Sequence, residues 1–202
     1  MPPQPPRSVI PKHRLEALSD GVYAIALTLL VLELKIPPLP HSIPDEVLAK
    51  ALLELIPKGL AWLLSFWVIA LFWLAQQRLY RLCLSIDAPL ARIELAQLAL
   101  ISLFPFSNIL LGEHGGRVLP AVIYSGHLFA IALLSLLRTR HFLRHAELHS
   151  PEMTPNTARA LRIRAGLVAL CAFAAVLLGF FAPTMNMLAL LPLVLLPRIA
   201  KV

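Results

Sequence analysis

The sequence predicts an all-α membrane protein with six transmembrane helices per subunit. Three observations carry this expectation. Of the 202 residues, 58% are hydrophobic and 14% are charged, whereas soluble domains average about a quarter charged. The mean hydropathy is +0.77. The apolar residues are also gathered into runs near the roughly 20 residues that a helix needs to cross a bilayer.

Residues 1–13 are rich in proline and polar groups and read as a disordered tail. The first apolar run, Leu15–Ile36, is too long for a signal-peptide core and has no small-residue cleavage site after it. It reads as a retained span, stopped by Pro37 and Pro38. A helical lead-in, Asp45–Ile56, capped by Asp45 or Ser42, precedes the second span, Lys58–Leu82, and Pro57 is expected to kink the join. The third span is Ile93–Leu111, ended by Gly112, and the fourth is Leu119–Leu137. The fifth is Ala165–Phe181. A seam at Ala182–Pro183 separates it from a short sixth, Thr184–Leu196, which Pro192 interrupts. Residues 14–202 form one membrane domain without internal repeats. Cys83 and Cys171 lie in different apolar segments with no CxxC partner, so no disulfide framework is implied.

The net charge of +7 would suggest nucleic acid for a soluble protein. In a membrane protein, cytoplasmic loops are enriched in Lys and Arg, and no nucleic-acid partner is expected. With six spans both termini lie on one side, and 14 of the 18 Lys and Arg fall there. The other side holds Lys35, Lys50, Lys58 and Arg117. The positive-inside rule then makes both termini cytoplasmic, with the protein multi-pass in a bacterial-type inner membrane. The connection Arg138–Arg164 is the longest cytoplasmic one, and no soluble catalytic domain fits in it.

The first helix carries two kinds of information. On a helical wheel with Ile25 at zero, Leu29 falls at about +40°, Leu32 at about −20° and Thr28 at about −60°, while Asp20 lies about 140° away. One face therefore bears Ile25, Leu29 and Leu32 with Thr28 beside them, and Ser19 and Asp20 look elsewhere. A carboxylate at membrane depth needs partners. For Asp20 these are Arg14 on its own segment, backbone N–H groups of a broken helix, or a polar group on another span. The bland role is a clasp that packs the helix into its bundle; the alternative is a proton or ion site.

These residues carry a resemblance. "RLEALSD" followed by "GVYAIALTLLVLELKIP" resembles the signature of the transmembrane protein 175 potassium-channel family, in its prokaryotic, single-repeat branch, with Leu18 where Phe is usual. "SFWVIALFWLAQQRLYRL" and "LISLFPFSNILLGEHG" resemble the second and third helices of that family. The resemblance implies six-helix subunits assembled as a homotetramer around the first helix, with no re-entrant filter loop. It places the pore constriction at Ile25, with Thr28, Leu29 and Leu32 following it. Gln76-Gln77 replaces a His pair and Glu94 an Asn, at positions of a polar network that supports the pore helix in the family. The implied function is a leak-type cation channel with modest selectivity for potassium over sodium. Potassium and other monovalent cations are its permeant partners, in contact with a lipid bilayer and with no cofactor.

From periodicity alone, the Ile25–Leu32 stripe would read as a plain lipid- or core-facing surface. With the resemblance it reads as apolar rings that gate by dewetting, with Thr28 hydroxyls partly compensating a dehydrated ion. Glu33, near the outer end, gathers cations at the mouth or simply pairs with Lys35. Arg14, Ser19 and Asp20 form a structural motif at the cytoplasmic end. His141, His145 and His149 recur at helical spacing and raise a zinc site; HExxH is absent, Arg140 and Arg144 flank them, and an exposed helix cap is the simpler role. Arg159, Arg162 and Arg164 fit the positive-inside rule better than a voltage sensor. Trp62, Trp67, Trp73, Tyr80 and Tyr124 read as packing or interface anchors, and Gly126 and Gly179 as points of close helix contact. The competing function is a secondary transporter or proton-coupled exchanger with Asp20, Glu94 and His127 as carriers, which no inverted repeat supports. An enzyme is not expected: GxSxG, a paired intramembrane Asp motif and a zinc signature are all missing.

Overall fold

A computed structural model describes residues 11–36, 38, 40 and 43–193, without the side chain of Glu33. The tail ahead of residue 11, the cap candidate Ser42 and the last part of the sixth segment, 194–196, lie outside the described residues.

The chain is all α-helical. Helix α1 runs Lys12–Leu29 and tightens into a 3-10 turn, Leu30–Glu33, before the prolines. Helix α2, Asp45–Glu54, is the predicted lead-in. Its N-cap is Pro44 and no side chain caps it, so Asp45 sits in the first turn, where its charge favours the helix dipole. Helix α3 is Ile56–Leu82. Pro57 does not kink a continuous helix there. It occupies the first turn of a new one, where its missing N–H costs nothing.

Helices α4, Ala88–Glu113, and α5, Val118–Arg144, follow. Asp87 caps α4 by accepting from the Leu90 N–H at 2.9 Å. Between these helices Gly116 takes φ 84°, a left-handed turn that glycine adopts without strain. Helix α6, Pro155–Phe181, is capped by Thr154, which accepts from the Thr157 N–H at 3.2 Å. Both α5 and α6 extend well past the apolar runs, so the predicted long loop Arg138–Arg164 shrinks to residues 145–154. Polar and basic turns at a membrane surface continue a helix whose apolar part ends earlier, and hydropathy alone does not see them.

Five helices are long and apolar enough to cross a membrane: α1 with its 3-10 turn, α3, α4, α5 and α6. The described part of the sixth segment is a 3-10 helix, Pro183–Leu190, with a helical extension to Leu193, and is shorter than a crossing requires.

Tyr23, Ala26 and Leu30 of α1 pack with Phe72 of α3, Ile101 of α4 and Leu128 of α5 in the main core. A second cluster, with Leu15, Leu79, Ile86 and Phe142, closes one end. At that end the α3–α4 connection pairs with residues 148–150: Leu84 N–H donates to the Leu148 carbonyl and Ser150 N–H to that of Leu82, both at 2.8 Å. Lys12 Nζ donates to the Cys83 carbonyl at 2.9 Å. The start of α1, the ends of α3 and α5, and the starts of α4 and α6 therefore share one end of the bundle. Helices α5 and α6 touch through small residues. A Cβ on Gly179 would meet Ser125 Oγ at 3.2 Å and the Ala121 backbone at 3.4 Å. Gly126 makes no such contact, as nothing lies within 4 Å of the position its Cβ would take.

Candidate pore helix and its polar clasp

Helix α1 is divided along its length. Leu15, Ser19, Tyr23, Ala26 and Leu30 are buried in the subunit. On the other side Leu18, Ile25, Leu29 and Leu32 are exposed, with Ile25 at 61% and Leu32 at 57%. Beside this apolar stripe runs a second exposed row of small residues, Ala17, Gly21, Ala24 and Thr28. A Cβ on Gly21 would meet nothing within 4 Å. The Thr28 hydroxyl donates back to the carbonyls of Ile25 at 2.9 Å and Ala24 at 3.1 Å. Its hydrogen is thus turned toward the helix and its lone pairs outward. The backbone of Glu33 lies in the 3-10 turn.

Away from this stripe, α1 is held by polar side chains of α3 and α4. Asp20 accepts from Trp73 Nε1 at 2.8 Å and from Gln77 Nε2 at 2.6 Å, both on α3. Of the three partner types considered, the polar group on another span is the one found. Arg14 is exposed and makes no ion pair among the described residues. Trp73 packs against the main core, as a packing anchor does, and in addition donates its indole N–H to the clasp. An indole N–H carries no sequence signal of its partner, which is why periodicity passed over it.

One turn deeper into the subunit, Gln76 Nε2 lies 2.6 Å from Ser19 Oγ, 3.0 Å from Tyr80 Oη and 3.0 Å from Glu94 Oε2. Two hydrogens serve these three acceptors, so the bonds are shared. Glu94 in turn accepts from Arg138 Nη1 at 3.3 Å through both oxygens. Arg138 Nη2 reaches Ser135 Oγ at 3.3 Å. Glu94 is fully buried and Arg138 is 1% exposed. Arg138 thus leaves the tally of cytoplasmic loop charges and becomes a buried counter-ion. Its position just past an apolar run gave it the look of a loop residue, and its partner lies 44 positions away in the chain. Higher on the same face, Gln97 Nε2 donates to Tyr23 Oη at 3.2 Å. Of the departures from the family pattern, Gln76 and Glu94 belong to this network, Gln77 bonds Asp20, and Leu18 is exposed.

His127 lies 2.9 Å from Ser107 Oγ and 2.9 Å from the Leu100 carbonyl. His127 lies on α5 and Ser107 and Leu100 on α4, so its ring ties the two helices together, with Nε2 donating to the carbonyl. His141 Nε2 is 2.7 Å from Asp87 Oδ2, bracing the cap of α4 against α5. His145 Nδ1 bonds the His141 carbonyl at 2.8 Å, and the two rings lie 4.1 Å apart. No group of three metal-ligating side chains occurs among the described residues. Outside the spans, burial pushes the Cys83 thiol up to about 11, against a smaller opposing effect of Lys12. Its Sγ donates to the Ser85 carbonyl at 2.8 Å.

Comparison with known proteins places this geometry. The family model described as "Endosomal/lysosomal potassium channel TMEM175" matches residues 14–105. The chain is 40% identical over 125 residues to a protein of Chamaesiphon minutus named a potassium channel, covering 60% of this chain and 61% of that one. It is 32% identical over 158 residues to a Streptomyces collinus protein named a potassium channel, covering 76% and 75%. Against the rat protein named endosomal/lysosomal proton channel TMEM175 the identity is 27% over 198 residues, 94% of this chain but 38% of that one. Among solved structures, the crystal structure of a lysosomal potassium-selective channel TMEM175 homolog from Chamaesiphon minutus matches with a TM-score of 0.74 and 30% identity. The match covers 95% of this chain and 98% of that one.

Proposed function

The chain belongs to the TMEM175 family, a family of ion channels and not of enzymes, and from that membership we propose that it forms a potassium-permeable leak channel lined by α1. The observation that carries this reading is the division of α1. One face is clasped by Trp73, Gln77 and Gln76, and the opposite face, with Ile25, Leu29 and Leu32 beside a row of small residues, is exposed. One such helix cannot enclose a pore, so several copies meet around an axis, and a homotetramer is the assembly we assign. The small row lets neighbouring helices approach closely.

Rings of Ile25, Leu29 and Leu32 then make an apolar constriction that opens and closes by wetting. An ion passing it sheds part of its water. Potassium holds water less tightly than sodium and loses less by shedding it, which gives modest potassium selectivity without a filter loop. Thr28 lone pairs, freed by the inward turn of its hydroxyl, offset part of that loss. The positive-inside rule assigns the start of α1 to the cytoplasm of a bacterial-type cell, and puts Glu33 at the outer mouth.

The test is potassium and sodium flux through liposomes carrying the wild type or Ile25→Asn. A polar ring wets more readily, so flux rises several-fold and the preference for potassium falls. Unchanged flux and selectivity would sink the pore assignment. An exchanger built on Asp20, Glu94 and His127 would need these groups to trade partners during transport, and each is already hydrogen-bonded within the subunit. Flux that saturates and couples to a proton gradient would favour that reading instead.

A further inference from the structure

Helix α1 carries Lys12, Arg14, Glu16 and Asp20 as its charged side chains. Three of them have partners. Lys12 pairs with Glu16 at 3.6 Å and donates to the Cys83 carbonyl, and Asp20 accepts from Trp73 and Gln77. Arg14 is exposed and makes no ion pair among the described residues. It also stands in the first turn of α1, which holds no acidic residue. A cation there works against the helix dipole. Its angular position is the informative part. With Ile25 at zero on the wheel, Arg14 falls at about −20° and Leu18 at about +20°, whereas Lys12, Glu16 and Asp20 all lie about 140° or more away. Arg14 is therefore the charge that α1 presents on the same exposed face as Leu18, Ile25 and Leu32. The positive-inside rule accounts for a cation at this end of the helix, and not for the face it takes.

We propose that Arg14 makes the pore a rectifier: copies of its guanidinium ring the mouth at the start of α1, deplete cations there, and reduce the current that enters from that side. The inference rests on the channel reading above. A mouth lined by one sign of charge sets the local concentration of the ions that must enter it. For a tetramer with each guanidinium about 10 Å from an ion on the axis, cations are depleted about twofold at 0.15 M salt and about eightfold at 0.01 M. Arg14 precedes Ile25 by about 17 Å along the helix. That is about twice the screening length of about 8 Å at 0.15 M salt. The ring thus acts on entry at the mouth and leaves selectivity to the apolar constriction. The opposite mouth has no such ring from α1, so currents in the two directions differ.

The test is the current–voltage relation of inside-out patches from cells that express the protein, with equal KCl on both faces. With α1 starting in the cytoplasm, wild type passes about eightfold less outward than inward current at 0.01 M KCl, and the asymmetry shrinks to about twofold at 0.15 M. This salt dependence needs no variant, so it stands even if a substitution at Arg14 fails to fold. Arg14→Gln makes the two currents equal, and Arg14→Glu reverses the asymmetry by gathering cations at the mouth. Arg140→Gln removes the same charge from an exposed position of α5 at the same end and leaves the asymmetry as in wild type. Three results would overturn the inference while leaving the channel reading intact: a linear wild-type current at low salt, rectification that survives Arg14→Gln, or equal loss of it in Arg140→Gln, which means diffuse surface charge. An absence of any potassium current from wild type would remove the channel reading and this inference with it.

Discussion

At the scale of single residues, the subunit depends on a few buried polar contacts whose failure is costly. Glu94 and Arg138 are both withdrawn from water and face each other at 3.3 Å. Removing one partner strands the other, and for buried ion pairs that loss runs to about 3–5 kcal/mol. Arg138→Met should therefore lower the thermal stability of the detergent-solubilised protein sharply. Glu94→Gln together with Arg138→Met should recover most of it, because no charge is left uncompensated. If the single variant melts at the wild-type temperature, the pair is not what holds α4 to α5. The same residues mark what one sequence cannot display. Asp20 is recognisable as a group in need of a partner, since carboxylates at membrane depth are paired. That Trp73 and Gln77 meet it depends on how α3 is rotated, and nothing local sets that rotation.

At the scale of elements, the two faces of α1 follow from its 3.6-residue period, and both were legible. The stripe of Ile25, Leu29 and Leu32 and the opposed Asp20 sit on opposite flanks, as the wheel requires. The small row beside the stripe came into view only when burial showed it exposed. Gly21 is an open point of it, where an added Cβ would meet no neighbouring element within 4 Å. Gly21→Leu should leave the helix content unchanged by circular dichroism, yet block the approach of neighbouring α1 helices. Light scattering should then report a smaller assembly. A variant that keeps the wild-type mass would mean that copies of α1 do not meet through this row. Glycine had two other candidate places, and they divided. Gly179 lies against Ser125 and Ala121, whereas Gly126 is open. Helical spacing identifies a small residue but not which neighbour, if any, comes close to it.

At the scale of the whole molecule, the bundle has one strongly basic end. Apart from the buried Arg138, ten Lys and Arg among the described residues lie there, from Lys12 to Arg164, against Lys35, Lys50, Lys58 and Arg117 at the other. If that end is cytoplasmic, Glu152→Cys, in the exposed α5–α6 turn, should resist a membrane-impermeant maleimide on intact cells. Arg117→Cys, exposed in the α4–α5 turn, should react. The reverse pattern would invert the assigned topology. Helix α6 starts at the basic end and finishes at the opposite one, so a cytoplasmic C-terminus needs the sixth segment to return across the membrane.

The sequence by itself determined the class of protein, the approximate centres of five of the six spans it predicted, the basic end and the shared helix face of Ile25, Leu29 and Leu32. All of these follow from composition or from a local period, and need no knowledge of distant contacts. Tertiary structure alone decided that Arg138 is a buried counter-ion, that Gln76 joins Ser19 to Glu94, that His127 ties α5 to α4, and that Arg78 and Arg164 share a crevice. Each of these joins residues on different helices. A helix states which way its side chains point, and only packing in three dimensions states what they meet.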